Sequence, residues 1–295
     1  MLPIQRILCP LDFSEISPLS LEYAQSFAKH YSAELLVLHA LEPMEVAYPD
    51  DEFVEAWSEA RSRRTAEAKA RLQAVVEAHP SRVLSLEMMV REGRPSDAIL
   101  AEAERQAADL IVMGTHGRRG MDRWLLGSVT EKVLRKARCP VLVVRKPAHP
   151  FISTQPAADP VRLERVLVCS DFSEPSLRAL EYAISLAMEF DAELRILHVV
   201  EEIPGSKEVQ ELTEEIQNKL TEPIPAETRE WLRLKAIVRI GRPYQEIIQL
   251  ALESETDLVI MGVQGRNALD LAVFGSTTHR VIQLGPCPVL AVRVP

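Results

Sequence analysis

The sequence predicts an α/β protein built from two tandem domains, each a mainly parallel sheet with helices between its strands. The chain has 295 residues, and a prior of roughly 150 residues per domain suggests two. The segment RILCPLDFSE at 6–15 recurs as RVLVCSDFSE at 165–174, an offset of 159. Short apolar runs alternate with helical patterns in both copies, as in parallel α/β folds.

The internal repeat extends through most of both halves. AELLVLHALE at 33–42 is answered by AELRILHVVE at the same offset, but REGRP at 91–95 is answered by RIGRP at an offset of 148. Eleven residues are therefore lost in between, where length variation indicates a surface segment. Four prolines between the copies suit an extended, semi-rigid linker. The sequence therefore predicts domains at 1–146 and 163–295, joined by a linker at 147–162.

The elements of each copy follow the order β-α-β-α-β-α-β-α-β. In the first copy, leucine-rich or β-branched runs predict buried strands; they lie at 4–9, 35–39, 109–113 and 141–144. Ser17 and Pro18 suit the cap and first turn of a helix. A long helical pattern lies within 42–79, and prolines interrupt its shorter counterpart in the second copy. Right-handed crossovers should connect the strands of each Rossmann-like sheet.

Composition narrows the functional classes. The net charge of −9, without a basic block, disfavours nucleic-acid binding. No apolar run is long enough for export or for crossing a membrane, which predicts a cytoplasmic protein. Cysteines occur singly, at positions 9, 139, 169 and 287. They lack the C-x-x-C spacing of zinc sites and are expected to be buried, reduced thiols.

Glycines carry the clearest functional pattern. Eight of the eleven glycines form four pairs in the repeat register, and three of these pairs spell G-x-x-G-x9-G-S. The pattern comprises Gly114, Gly117, Gly127 and Ser128 in the first copy and Gly262, Gly265, Gly275 and Ser276 in the second. Each begins after a strand and ends at a helix, where glycines permit left-handed angles and close approach.

A helix N-terminus after such a loop suits phosphate oxygens, because its amides are free and its dipole is positive there. Arg118 and Arg119, or Arg266 in the second copy, could reach a terminal phosphate. The alternative is an ordinary turn with Ser128 and Glu131 as a capping box. The spacing that both copies keep favours phosphate binding.

Asp12 and Asp171 close the first strand of each copy, beside the expected ligand crevice. Each could accept from ribose hydroxyls or hold a magnesium-bound water, and each could equally be a helix cap. His39 and His198 end the second strand and are expected to be hydrogen-bonded structural residues. Gly93 and Gly241 begin turns from strand to helix.

These motifs together resemble the universal stress protein family. The strand-end aspartate, the LH of the second strand, the glycine pattern and the final CPVLVV occur in this order in the first copy, and the second copy repeats the order with CPVLAV. The resemblance implies two adenine nucleotide alpha hydrolase-like sheets of order 3-2-1-4-5. It also implies ATP, with Mg²⁺, or another adenine nucleotide as the ligand.

The resemblance assigns the aspartates to ribose, the backbone of Ala40 and Val199 to adenine, and the glycine loops to phosphates. In the first copy the implied binding residues are Pro10, Leu11, Asp12, Ala40, Met113, Gly114, Gly117, Arg118, Gly127, Ser128 and Val129. In the second copy they are Cys169, Ser170, Asp171, Val199, Met261, Gly262, Gly265, Arg266, Gly275, Ser276 and Thr277. A departure is Cys169 in place of Pro10.

Family members also pair through the last strand, which implies an intramolecular pseudo-dimer of Val141–Val144 with Val289–Val292. Pairing would protect two apolar edges. Dimerisation of the whole chain stays open, and no protein partner is named.

The sequence is compatible with three functions. The leading hypothesis is an ATP-binding regulator of stress or signalling, without catalytic residues or a metal site of its own. A slow ATPase or nucleotide transferase would need a group such as His116 or Gln264 at the γ-phosphate. A ligand-free scaffold for protein partners is the third.

Overall fold

A computed structural model of the chain describes residues 4–44, 51–80, 83–115, 126–153, 159–202, 209–263 and 275–294. In the first half the strands are β1 Arg6–Pro10, β2 Glu34–Leu41, β3 Ser85–Glu92, β4 Leu110–Gly114 and β5 Val141–Val144. Its helices are α1 Ser17–Tyr31, α2 Asp51–Ala78, α3 Pro95–Arg105 and α4 Ser128–Lys136.

The second half repeats this arrangement. Its strands are β6 Arg165–Cys169, β7 Glu193–Val200, β8 Arg233–Ile240, β9 Leu258–Gly262 and β10 Val289–Val292. Its helices are α5 Glu174–Phe190, α6 Val209–Thr221, α7 Ala226–Trp231, α8 Pro243–Glu253 and α9 Ser276–Leu284. Helix α7 departs from the predicted alternation, because Pro223 and Pro225 divide the helical segment that α2 spans without interruption.

The ten strands form one sheet of order β3-β2-β1-β4-β5-β10-β9-β6-β7-β8. Each half therefore has the order 3-2-1-4-5, which confirms the predicted fold. All neighbours within a half are parallel. Strands β5 and β10 pair antiparallel, with Leu142 opposite Leu290 and Val143 opposite Val289. This pairing joins the two halves and covers both inner edges.

Helices pack on both faces of the sheet, and each face carries a core cluster that includes residues of both halves. One cluster buries Leu21 of α1, Leu72 of α2 and Leu180 of α5. The other buries Ile99 of α3, Val133 of α4 and their counterparts in α8 and α9. Because each cluster continues across β5 and β10, the halves share their hydrophobic interior.

The segment between the halves is not the extended linker that its prolines predicted. Phe151 is only 2% exposed and packs edge-on against Tyr23 and Phe27, with ring centroids 5.0 and 6.2 Å away. Ile152 forms an antiparallel bridge with Val161. Phe151, Ile152 and Val161 thus anchor the two ends of the connection.

The cysteines carry no disulfide. Cys9 and Cys287 are buried as predicted, but Cys139 and Cys169 are partly exposed. Burial raises the pKa of Cys287 to about 12, which keeps this thiol protonated at neutral pH.

We expect Phe151→Ala to lower the free energy of unfolding by about 3–5 kcal/mol, because it leaves a cavity in a shared core. Chemical denaturation measures the loss. Trp231→Ala removes an aromatic ring that is 79% exposed and should change stability by less than about 1 kcal/mol. Equal effects of the two substitutions would contradict the anchoring of the connection.

Candidate functional site

A cavity of about 500 Å³ lies at the carboxyl end of the first half's sheet. It lies beside β1 and β4, neighbouring strands between which the strand order reverses. Ligands of open α/β sheets bind at such reversal points. Nine predicted binding residues line this cavity: Pro10, Leu11, Asp12, Ala40, Met113, Gly114, Gly127, Ser128 and Val129.

The carboxylate of Asp12 is held in place from two sides. Its Oδ1 accepts from the backbone N–H of Ser14 at 3.0 Å and from Ser17 Oγ at 2.8 Å. Helix α1 begins after Ile16, without a side-chain cap bond. The predicted cap role of Ser17 is therefore wrong, as is the alternative of Asp12 as the helix cap. Ser17 instead orients the carboxylate.

Asp171 has an equivalent arrangement in the second half. Its Oδ1 accepts from both the backbone N–H and the hydroxyl of Ser173. Ser173 precedes α5 as its N-cap residue but makes no side-chain cap bond. In both halves the first strand therefore ends in a carboxylate fixed by a nearby serine.

The N-terminus of α4 faces the same cavity. Gly127 is the N-cap residue and Ser128 the first helical residue, without a side-chain cap bond, so the alternative of a capping box starting at Ser128 is not formed. Gly275 and Ser276 have the same positions at α9. The hydroxyls of both serines are thus not used to cap the helix.

Two threonines that the sequence analysis missed fix these helix starts. Thr130 Oγ1 donates to the carbonyl of Gly114 at 2.9 Å, and Thr278 Oγ1 donates to that of Gly262 at 2.9 Å. Each bond ties the first turn of a helix to the end of the preceding strand. Thr130 and Thr278 are equivalent residues at the repeat offset of 148. This repetition is the sequence signal by which they could have been predicted.

The glycines at the ends of β4 and β9 let the start of a neighbouring helix approach the strand closely. The described glycines with positive φ are Gly93 and Gly241, so Gly114, Gly127, Gly262 and Gly275 do not use the left-handed angles that glycine permits. A Cβ on Gly114 would overlap Cγ2 of Ile16, and one on Gly262 would lie 2.8 Å from the carbonyl carbon of Pro175. Only a residue without a side chain lets the helix pack this closely.

The histidines have the structural role that was expected. Nδ1 of His39 donates to the carbonyl of Leu11, and Nδ1 of His198 to that of Ser170, both at 2.7 Å. Phe13 packs against His39 with ring centroids 4.3 Å apart, and Phe172 packs against His198 in the same way. These contacts hold the ends of the first and second strands together.

A basic side chain covers each phenylalanine. The guanidinium of Arg71 lies 4.4 Å from the ring centroid of Phe13, and Lys219 Nζ lies 4.4 Å from that of Phe172. Arg64, also from α2, lines the cavity and donates to the carbonyl of Glu42 at 3.2 Å. Sequence reasoning missed Arg64 because α2 belongs to the segment that the repeat does not preserve.

The predicted residues of the second half lie at equivalent positions. Cys169, Ser170 and Asp171 end or follow β6, Val199 lies near the end of β7, and Met261 and Gly262 end β9. Gly275 precedes α9, which Ser276 and Thr277 begin. Strands β6 and β9 are neighbours, as β1 and β4 are. Some predicted residues lie outside the described part of the chain: His116, Gly117, Arg118, Arg119, Gln264, Gly265 and Arg266.

The fold and the cavity of the first half define a class of protein: a tandem α/β protein with a crevice at a strand-order reversal. The model of the universal stress protein family matches residues 3–145 and 162–293. The chain therefore belongs to the universal stress protein family.

Relatives and solved structures agree with this membership. A universal stress protein of Mycolicibacterium smegmatis is 26% identical over 97% of this chain and 96% of its own length. One from Methanocaldococcus jannaschii is 37% identical over 48% of this chain and 83% of its own. The crystal structure of a universal stress protein from Archaeoglobus fulgidus has a TM-score of 0.67 and 25% identity, covering 99% of this chain and 98% of its own.

Within the described residues, no helix combines the length and apolarity that a membrane span requires.

Close packing at the strand ends predicts that two glycine substitutions are similarly costly but differ in whether a second substitution relieves the cost. Gly114→Ala and Gly262→Ala should each cost about 1–3 kcal/mol of unfolding free energy through overpacking. Ile16→Ala should relieve the first cost, because the overlapping atoms belong to that side chain. Pro175→Ala should not relieve the second, because the overlap there includes the backbone. Double-mutant cycles measure both couplings; equal relief would contradict the packing described.

Proposed function

We propose that the protein binds ATP, together with Mg²⁺, at the strand-end crevice of each half and acts as a nucleotide-dependent regulator of stress or signalling. One observation carries this proposal. The cavity of the first half brings the fixed carboxylate of Asp12 together with the N-terminus of α4 at Gly127 and Ser128. The first feature suits the ribose of a nucleotide, and the second suits its phosphates.

The chemistry of the cavity fits an adenine nucleotide. A carboxylate oriented by Ser14 and Ser17 accepts hydrogen bonds from ribose hydroxyls. The backbone amides at the start of α4 and the hydroxyl of Ser128 donate to phosphate oxygens. Ala40, near the end of β2, lines the same cavity, and the family resemblance assigns its backbone to adenine. Bound Mg²⁺ would lower the negative charge of the phosphates, held mainly by phosphate oxygens and water.

The second half supports a second site. Asp171, Gly262, Gly275 and Ser276 repeat the positions of their counterparts on the strand ends and at α9. Cys169 and Val199 replace Pro10 and Ala40, which changes the shape of the crevice without removing a polar group from it. We therefore expect two sites of unequal affinity.

A regulatory role needs only modest affinity. A dissociation constant of about 1 mM corresponds to a binding free energy of about −4 kcal/mol, which a few amides and one carboxylate can supply.

We place the binding domains at 1–146 and 163–295, and the family-model matches to 3–145 and 162–293 support these limits. We also propose a cytoplasmic location. The net charge of −9 favours a protein partner over nucleic acid.

Calorimetric titration of the nucleotide-stripped protein with ATP and Mg²⁺ should show two sites. Gly127→Val and Gly275→Val should each reduce the number to one, because a branched side chain at the N-cap obstructs the phosphates. No heat and no thermal shift at millimolar ATP would contradict nucleotide binding and favour the scaffold.

Asp12→Asn should weaken binding at the first site about tenfold or more, because it removes the charge that strengthens the ribose hydrogen bonds. The substitution keeps the size of the side chain and its oxygen acceptor. Asp97→Asn is the matched control, since this carboxylate lies on α3, pairs with Lys132 and does not line the cavity. The same titration compares the two variants, and an equal effect of both would argue against Asp12 as a ribose ligand.

A further inference from the structure

The C-terminal ends of α1 and α5, one from each half, meet around a carboxylate. Nε2 of His30 lies 2.8 Å from Oε1 of Glu189, and the Tyr31 hydroxyl donates to Oε2 at 3.1 Å. The side chain of Glu189 is only 6% exposed. A carboxylate can only accept, so Nε2 of His30 carries a proton. Each oxygen of the second half's Glu189 thus accepts from the first half.

These residues occupy equivalent positions in the repeat. The offset of 159 places His30 over Glu189 and Tyr31 over Phe190. The His30 ring also contacts Phe190, with centroids 4.5 Å apart. Equivalent residues that touch one another must lie next to the approximate twofold axis that relates the halves. We call His30, Tyr31, Glu189 and Phe190 the axis cluster.

Other contacts place the same axis between β5 and β10. Leu142 faces Leu290, its equivalent at the offset of 148. The Arg145 guanidinium donates to the carbonyl of Gln283 at 3.1 Å, and its equivalent Arg293 donates to the carbonyl of Arg135. These reciprocal contacts would form equally well between two first halves or two second halves. The axis cluster differs, because its members are complementary rather than alike.

Pairing of like halves would therefore fail at the axis cluster. Two second halves would set Glu189 against Glu189, and Phe190 has no hydroxyl to donate. Two like charges in a site shielded from water repel strongly and lose their hydrogen bonds. Two first halves would set His30 against His30 and leave two donors without a carboxylate.

We propose that the axis cluster makes the pairing surface of the second half selective for a first half, so that pairing between two second halves is rejected. The Tyr31 hydroxyl suits this role because it keeps its proton and so remains a hydrogen-bond donor to Glu189. Burial, reinforced by the neighbouring charge of Glu189, raises the pKa of its phenol far above neutral pH.

Three variants of the full chain test this selectivity without separating the halves. His30→Glu with Tyr31→Phe gives both halves the residues of the second half. Glu189→His with Phe190→Tyr gives both halves those of the first. The variant with all four substitutions exchanges the residues between the halves and restores complementarity. Glu181→His is the control for the second variant, since it makes the same change of charge at an exposed position of α5.

Differential scanning calorimetry measures the unfolding temperature of each variant. The first variant should unfold about 5 °C or more below the wild type, and the second should also be less stable. The fourfold variant should return to within about 2 °C of the wild type. A fourfold variant as unstable as the first, or a first variant as stable as the wild type, would overturn the proposal. A second variant as stable as the control would also overturn it.

Discussion

The antiparallel pairing of β5 with β10 is the interaction on which the rest of the structure depends. Each strand would otherwise be the apolar edge of a five-stranded sheet, open to pairing with another chain. Their pairing makes one sheet of ten strands and lets both core clusters continue across the boundary. Phe151, from the connection, is buried in one of these clusters. The stability of either half is therefore tied to the other.

The same sheet sets the geometry of the candidate sites. Since β1 and β4 are parallel neighbours, the carboxylate after β1 and the helix start after β4 come together at one edge. The bond from Thr130 to Gly114 fixes that helix start, and the missing side chain of Gly114 lets α1 approach. In the second half, Asp171, Thr278 and Gly262 occupy the equivalent positions and make the equivalent contacts.

Much of this could be predicted from the sequence. Repeated apolar runs predicted the strands, the resemblance supplied their order, and the glycine spacing located the cavity, because these features depend on local pattern. Other features depend on tertiary contacts that no pattern shows. Ser17 has the sequence of a helix cap but is bonded to Asp12, and Gly114 is required by Ile16 rather than by its own dihedral angles. Phe151 lies in a proline-rich stretch, and the axis cluster is formed by helices 159 residues apart.

The most direct test of nucleotide binding is a crystal structure of the protein grown with a non-hydrolysable ATP analogue and Mg²⁺. We expect phosphate oxygens within about 3 Å of the backbone nitrogens at the start of α4, a ribose hydroxyl on Asp12, and the base beside Ala40. A nucleotide bound elsewhere on the surface, or an empty cavity at millimolar analogue, would contradict the function proposed for this site.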